Sequence, residues 1–127
     1  MDTPFTIRGK SLVSCAKNAS RHIIIPEGIE CIENTAFENC ESITDVEIPD
    51  SVSKIGTWAF AGCKNLTSIR LPQNDSLVMG NGVFCGCEEL GEVYFPNGIK
   101  VIPSGTFEGC GRLLRVTLPE SVTEIED

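Results

Sequence analysis

The chain has 127 residues, of which 41% are hydrophobic and 22% are charged, as expected for one soluble globular domain. Eighteen acidic and ten basic residues give a formal net charge of −8, which disfavours binding to nucleic acid or to anionic lipid. No apolar run approaches the roughly 18 residues of a membrane span, so direct membrane insertion is not expected. The start of the chain lacks the basic and apolar regions of a secretory signal, which leaves two alternatives, a cytoplasmic protein or one whose leader has been removed.

Residues 1–22 lack the pattern that fills the rest of the chain. Two strand-like segments, residues 5–7 and 11–15, flank the turn residues Arg8, Gly9 and Lys10. This arrangement predicts a β-hairpin. Because repeat proteins need an atypical first unit over the open end of their core, we interpret residues 1–22 as an N-terminal hairpin cap and residues 23–127 as a repeat array.

One motif recurs at a fixed period after the predicted cap. Its Phe-x-x-Cys core appears in steps of 23, 24 and 23 residues, and a proline follows each copy at the same steps. A period of this size indicates a solenoid. The paired positions are Phe37 and Cys40, Phe60 and Cys63, Phe84 and Cys87, and Phe107 and Cys110, and the prolines are Pro26, Pro49, Pro72, Pro96 and Pro119.

Three further apolar positions recur in the segment before each proline. Their alternation with polar residues predicts a short strand with one buried face, which the proline ends. Stacked coils would join these strands into a parallel sheet around a continuous core, so we predict an α/β-type solenoid, mostly of short parallel β-strands with helical turns. The apolar columns are Ile43, Leu66, Leu90 and Leu113; Val46, Ile69, Val93 and Val116; and Ile48, Leu71, Phe95 and Leu118.

The third and last copies depart from the pattern. Residues 73–76 lengthen the connection after Pro72. Insertions in repeats map to surface loops, where function is often added, although a tolerated insertion is the simpler interpretation. The last copy begins at Ser121 and stops before any Ala-Phe pair, so we count about four repeats and an unfinished fifth.

The repeat unit Val-x-x-Ile-Gly-x-x-Ala-Phe-x-x-Cys-x-x-Leu-x-x-Ile-x-Leu-Pro resembles the BspA-like leucine-rich repeat over residues 23–127. The stretch from Ser14 to Ala19 also resembles the unit that precedes the repeats in that family. The resemblance implies a right-handed leucine-rich repeat superhelix. It further implies a surface or secreted protein, as in bacteria and some protozoa, that attaches to host proteins or to other cells.

The chain has seven cysteines. Four of them occupy the Cys column, where we interpret them as small buried hydrophobic residues. Cys15, Cys31 and Cys85 fall outside the column, and the odd total disfavours a disulfide framework. The Cys85-Gly86-Cys87 sequence leaves a functional thiol as the lesser alternative, since Cys87 belongs to the buried column.

Signals for catalysis are weak. His22 is the only histidine, so no Cys-His pair backed by a second histidine and no histidine-rich metal site can form. The carboxylates are scattered along outward positions, which favours a solvated face over a glycosidase-type acid pair. We therefore predict that the protein is not an enzyme and has no cofactor or metal.

Two outward stripes of the predicted sheet are the most informative surface. Inward Ile23, Val46, Ile69, Val93 and Val116 would turn their neighbours outward. In-register pairing of the strands would place Glu47 beside Arg70 and Glu92 beside Arg115. Two interpretations are open: these pairs only relieve charge repulsion between neighbouring strands, or the stripes are a recognition surface. The stripes are His22, Asp45, Ser68, Glu92 and Arg115, and Ile24, Glu47, Arg70, Tyr94 and Thr117.

Taken together, the sequence predicts a non-enzymatic protein-binding module, part of a cell-surface or secreted adhesion protein with a host or bacterial surface protein as partner. The alternative is an intracellular structural or scaffold segment in the cytoplasm. The cysteines favour this alternative, because no disulfide framework is expected among them. The unfinished fifth copy leaves the C-terminal end of the core uncovered. Either further repeats follow in the natural chain and cover that end, or the chain associates weakly with itself through it.

Overall fold

The computed structural model describes residues 4–113 and 115–126, without the side chain of Arg115. Within these ranges the chain forms short strands joined by turns, and no residue is helical. The strands are β1 (Phe5–Arg8), β2 (Ser11–Cys15), β3 (His22–Ile24), β4 (Cys31–Ile32), β5 (Asp45–Glu47), β6 (Lys54–Ile55), β7 (Ser68–Arg70), β8 (Val78–Met79), β9 (Glu92–Tyr94), β10 (Val101–Ile102), β11 (Arg115–Thr117) and β12 (Glu124–Ile125).

The three-residue strands form one side of a solenoid. They lie in the order β3-β5-β7-β9-β11, all parallel and in register, and we call them the long-strand sheet. The middle residues Ile23, Val46, Ile69 and Val93 are buried, because alternate side chains of a strand point to opposite faces. The predicted solenoid of stacked coils with parallel strands is thereby confirmed.

The two-residue strands form a second side, which we call the short-strand sheet. Strands β2, β4, β6 and β8 pair in parallel, and β10 and β12 form a separate parallel pair. Strand β1 pairs antiparallel with β2, so the N-terminal hairpin extends the short-strand sheet. That this hairpin acts as a cap, with a domain boundary at residue 22, stays a prediction.

The third side consists of successive turns over residues 34–39, 57–62, 81–86 and 104–109, which we call the turn face. The predicted helical turns are wrong here. Thr35 and Asn39 both have a φ of +58°, a left-handed conformation that interrupts any helix. In addition, the N–H groups of Thr35, Phe37 and Asn39 donate to the carbonyls of the next coil at 2.7–3.0 Å instead of to their own turn. The turn face is thus a third hydrogen-bonded ladder.

A stack of phenylalanine rings runs through the core. The ring centroids of Phe37 and Phe60 are 4.9 Å apart, those of Phe60 and Phe84 are 5.9 Å apart, and those of Phe84 and Phe107 are 6.2 Å apart. The first three rings are fully buried, whereas Phe107 is only half-buried. Phe107 differs because no complete coil covers it within the described residues.

The column cysteines follow the ring stack. Three of the four thiols donate to a phenylalanine carbonyl of the preceding coil: Cys63 to Phe37 and Cys87 to Phe60 at 3.1 Å, and Cys110 to Phe84 at 3.2 Å. The thiol of Cys40 donates instead to the carbonyl of Cys15 at 3.8 Å. A weak S–H donor therefore adds a polar contact where an alkyl side chain would add none. All seven cysteines are free thiols. Cys15, which the sequence placed outside the column, is buried and stacks next to Cys40.

Candidate functional site

The long-strand sheet brings the ten predicted site residues into two rows. Backbone pairing aligns His22, Asp45, Ser68, Glu92 and Arg115 in one row, and Ile24, Glu47, Arg70, Tyr94 and Thr117 in the other. Asp45, Ser68 and Glu92 are half-buried, and the side chain of Arg115 lies outside the described part. The other six are exposed: His22, Ile24, Glu47, Arg70, Tyr94 and Thr117.

An ionic cluster occupies the first two strands of this sheet. The imidazole Nδ1 of His22 contacts the carboxylate of Asp45, and its Nε2 lies 2.7 Å from an oxygen of Glu47. Hydrogen bonds to Asp45 and to Glu47 raise the pKa of His22 above its usual value. This corner of the sheet is therefore an acidic patch bridged by one titratable cation.

The middle of the second row carries a shallow hollow of about 400 Å³, which we call the Arg70–Tyr94 hollow. It is lined by Arg70, Gln73, Tyr94, Phe95 and Thr117. The hydroxyl of Tyr94 donates to the carboxylate of Glu92. The hollow thus combines an exposed guanidinium, an exposed aromatic ring and an apolar floor formed by Phe95.

The predicted neighbours Glu47 and Arg70 are adjacent in the sheet, but their ionic partners lie elsewhere. Arg70 Nη1 is 3.5 Å from a carboxylate oxygen of Asp50, and Glu47 contacts His22. Arg115 lies beside Glu92 in the backbone pairing, and its side chain lies outside the described part. Because both Asp50 and Arg70 are more than half exposed, their pair contributes little to stability and leaves the guanidinium free to change partner.

Chemistry beyond binding has little support. Among the described residues, no group of three or more histidine, cysteine or acidic side chains could hold a metal ion. Desolvation and the Glu108 carboxylate raise the pKa of the Cys85 thiol, and burial raises that of Cys110 to about 12. Raised thiol pKa values keep these groups protonated and poorly nucleophilic. The neighbouring Cys63 lowers the pKa of Cys87, but the Cys87 side chain is fully buried.

Sequence reasoning did not place two contributors, Gln73 and Phe95, in the hollow. Gln73 belongs to the lengthened third-copy connection, and its N–H donates to Asp50 at 2.9 Å. Phe95 is buried in its apolar column and also lines the hollow. The phenylalanine was a detectable signal, since the other three copies have Ile or Leu at that position.

Stacked coils, three hydrogen-bonded sides and a row of outward side chains define a leucine-rich repeat solenoid. The chain belongs to the BspA type leucine-rich repeat family, whose model matches residues 7–127 as six copies. The match begins inside the N-terminal hairpin, because β2 has the same place in its coil as β4 and β6. Members of repeat families of this kind generally act by binding other proteins.

Solved structures of bacterial repeat proteins are similar to the chain. A leucine-rich repeat protein from Eubacterium ventriosum has a TM-score of 0.81 at 20% identity, over 94% of this chain and 36% of that one. One from Bacteroides ovatus has a TM-score of 0.61 at 30% identity, over 91% and 36%. A leucine-rich cell surface protein from Faecalibacterium prausnitzii has a TM-score of 0.58 at 26% identity, over 91% and 34%. The chain spans about a third of the length of these proteins.

No curated protein matches the chain. In the ranges that the structure describes, no helix has the length and apolar character needed to cross a membrane.

Proposed function

We propose that the chain is a non-enzymatic protein-binding module of a cell-surface or secreted adhesion protein, with a host or bacterial surface protein as partner. The observation that carries this proposal is the Arg70–Tyr94 hollow on the long-strand sheet. Tyrosine and arginine are over-represented among the residues that dominate binding energy at protein interfaces. The exposed Ile24 at the start of the same row adds apolar area to this surface.

Support for the location comes from the relatives. The similar protein from Faecalibacterium prausnitzii is a leucine-rich cell surface protein. Family membership supports binding as the activity.

The experiment is a binding measurement with the intact chain immobilised and purified host and bacterial surface proteins in solution. The double variant Arg70→Ala/Tyr94→Ala should weaken binding at least a hundredfold, because truncating two anchor residues costs about 3 kcal/mol or more in all. Arg112→Ala is the matched control, since Arg112 is exposed and its only close ion pair in the described part is a 3.5 Å contact with Glu89. Unchanged affinity in the double variant would overturn the proposed site.

A cytoplasmic scaffold segment is the second candidate, and the seven free thiols favour it. Labelling intact cells of the source organism with a reagent that does not cross membranes distinguishes the two. A surface protein is labelled before lysis, whereas a cytoplasmic one is labelled only afterwards.

A further inference from the structure

The short-strand sheet is interrupted between β8 and β10. Strand β8 pairs with β6, and β10 pairs with β12, but no backbone hydrogen bond of the described residues links β8 with β10. The same two coils remain joined elsewhere, by β7 and β9 in the long-strand sheet and by three bonds on the turn face. The interruption is therefore local to one side of the solenoid.

Pro103 explains the missing pairing. In the preceding coils the residue after the short strand donates its N–H to the coil before it: Gly56 to Ile32 and Gly80 to Ile55, both at 2.8 Å. Pro103 has the same position after β10 and has no N–H to donate. Its ring also needs room, whereas the close approach at Gly80 would bring a Cβ within 2.5 Å of the Thr57 nitrogen. The proline thus removes one hydrogen bond and puts a ring at the position where glycine allows the preceding coils to approach closely.

Gly98 removes a second donor on the same side. Ser51 and Ser121, each two residues after a repeat proline, donate their hydroxyls to the carbonyls of Ile29 and Ile99 at 2.7 Å. Gly98 has this position after Pro96 and has no side chain. Two independent positions of one coil therefore lack the groups that would close it against β8.

The result is a cavity of about 500 Å³ between the two strands, which we call the β8–β10 cleft. Val78 and Val101 line it, with 63% and 37% of their surfaces exposed. Val78 and Gly80 donate their N–H groups backward, to the carbonyls of Ser53 and Ile55. The alternation of a strand therefore turns the N–H and C=O of Met79 toward the cleft. By the same alternation, the N–H and C=O of Val101 in β10 point into the cleft, opposite those of Met79.

We propose that the β8–β10 cleft binds an extended segment of a partner protein by strand addition. Unpaired backbone donors and acceptors beside apolar side chains are the features that such binding uses. Asp75 and Glu126 line the cleft against the single cation of Lys100, and the whole chain carries a net charge of −8. The fitting segment therefore alternates apolar residues with polar ones and carries lysine or arginine.

The direct test uses the full chain and a synthetic peptide, acetyl-Lys-Val-Thr-Val-Thr-Lys-amide. In an extended peptide, successive N–H groups point to opposite sides. Two control peptides are therefore N-methylated at every second residue, one at the odd and one at the even positions, so that each control loses the N–H donors of one side. We expect the parent peptide to bind and the control methylated on the side facing β8 to bind at least tenfold more weakly, because it loses the main-chain hydrogen bonding to the carbonyl that Met79 turns toward the cleft. Absence of binding by the parent, or equal affinity for all three peptides, would overturn the proposal.

The variant Pro103→Gly tests the mechanism. It restores the N–H and removes the ring, so β10 should pair with β8, peptide binding should be lost, and the amides of Met79 and Val101 should exchange more slowly. Pro119→Gly is the control for loss of proline stiffness and should bind the peptide as the natural chain does. Retained binding by a folded Pro103→Gly would contradict the proposal. If that variant does not fold, protection of the Met79 amide by the peptide in the natural chain decides, and an unprotected amide overturns it.

This cleft lies on a different side of the solenoid from the Arg70–Tyr94 hollow. The variant Arg70→Ala/Tyr94→Ala should therefore keep its peptide affinity, so the two proposals can fail separately.

Discussion

At the scale of single residues, the turn face depends on two columns of left-handed conformation. Gly82 and Gly105 occupy one column with φ of +61° and +70°, but Thr35 and Trp58 occupy the same column with φ of +58° and +59°. A left-handed conformation costs a residue with a side chain about 1–2 kcal/mol. Two of the four coils therefore carry backbone strain that the other two avoid with glycine.

The variant Thr35→Gly should increase the free energy of unfolding by about 0.5–1 kcal/mol, because relief of the strain exceeds the added chain entropy of glycine. Thr35 is exposed, so no packing is lost. Urea unfolding measures the change, with Thr35→Ala as the control that keeps the strain. A Thr35→Gly variant no more stable than Thr35→Ala would show that the left-handed conformation costs little here.

His22 should titrate above its usual pKa of about 6.5, because Asp45 and Glu47 both stabilise its charged form. A raised folded-state pKa means that the stabilisation is complete below pH 6.5 and is lost as the pH rises through the folded value. An NMR titration of the imidazole should give a lower pKa in Asp45→Asn than in the natural chain. Equal pKa values in the two proteins would contradict the contacts described.

At the scale of elements, the stacked rings and the ladders make each coil depend on its neighbours. Phe60 lies between Phe37 and Phe84 and is fully buried, whereas Phe107 is half-buried. Truncation therefore has different consequences at the two positions.

The variant Phe60→Ala should lower the free energy of unfolding by about 3–5 kcal/mol, and Phe107→Ala by less, because the exposed end can relax around the smaller side chain. Thermal or urea unfolding of the two variants provides the comparison. Equal losses would mean that Phe107 is as well packed as Phe60, and a negligible loss at Phe60 would contradict the repeat register.

The strands of the long-strand sheet were predictable from the alternation of apolar and polar residues. Val46, Glu47 and Ile48 show this alternation, the other coils repeat it, and it depends only on which side chains face the core. The turn face was not, because the sign of φ at Thr35 or Trp58 leaves no hydrophobic pattern. Glycine at the same column in later copies was the available signal. Likewise, Pro103 in a column that holds Gly56 and Gly80 marked the interrupted sheet.

The residues of the hollow were predictable only in part. The outward direction of Arg70 and Tyr94 follows from strand alternation. The position of Gln73 does not, because it depends on an irregular loop.

At the scale of the whole molecule, the last described coil carries apolar surface. Ile125 and Leu118 are 62% and 41% exposed, and Ile125 lines a pocket together with the half-buried Phe107. Glu120 and Glu124 line a pocket with Leu118 and Ile125, and Glu126 lines the one that Ile125 shares with Phe107, so like charges border this surface.

Weak self-association through this surface should therefore strengthen with salt, which screens the carboxylates. Sedimentation equilibrium over a range of protein concentrations, at low and high ionic strength, measures it. Leu118→Lys should keep the chain monomeric at concentrations where the natural chain associates. A natural chain that stays monomeric under all conditions would contradict this prediction.

The central claim is that a partner protein binds on the outer face of the long-strand sheet. Hydroxyl-radical footprinting tests it with an internal control, because Tyr94 on that sheet and Trp58 on the turn face are similarly exposed, at 41% and 49%. With a bound partner, oxidation of Tyr94 should fall strongly while that of Trp58 stays unchanged. Protection of Trp58 with Tyr94 unaffected would place the interface on the turn face and contradict the claim.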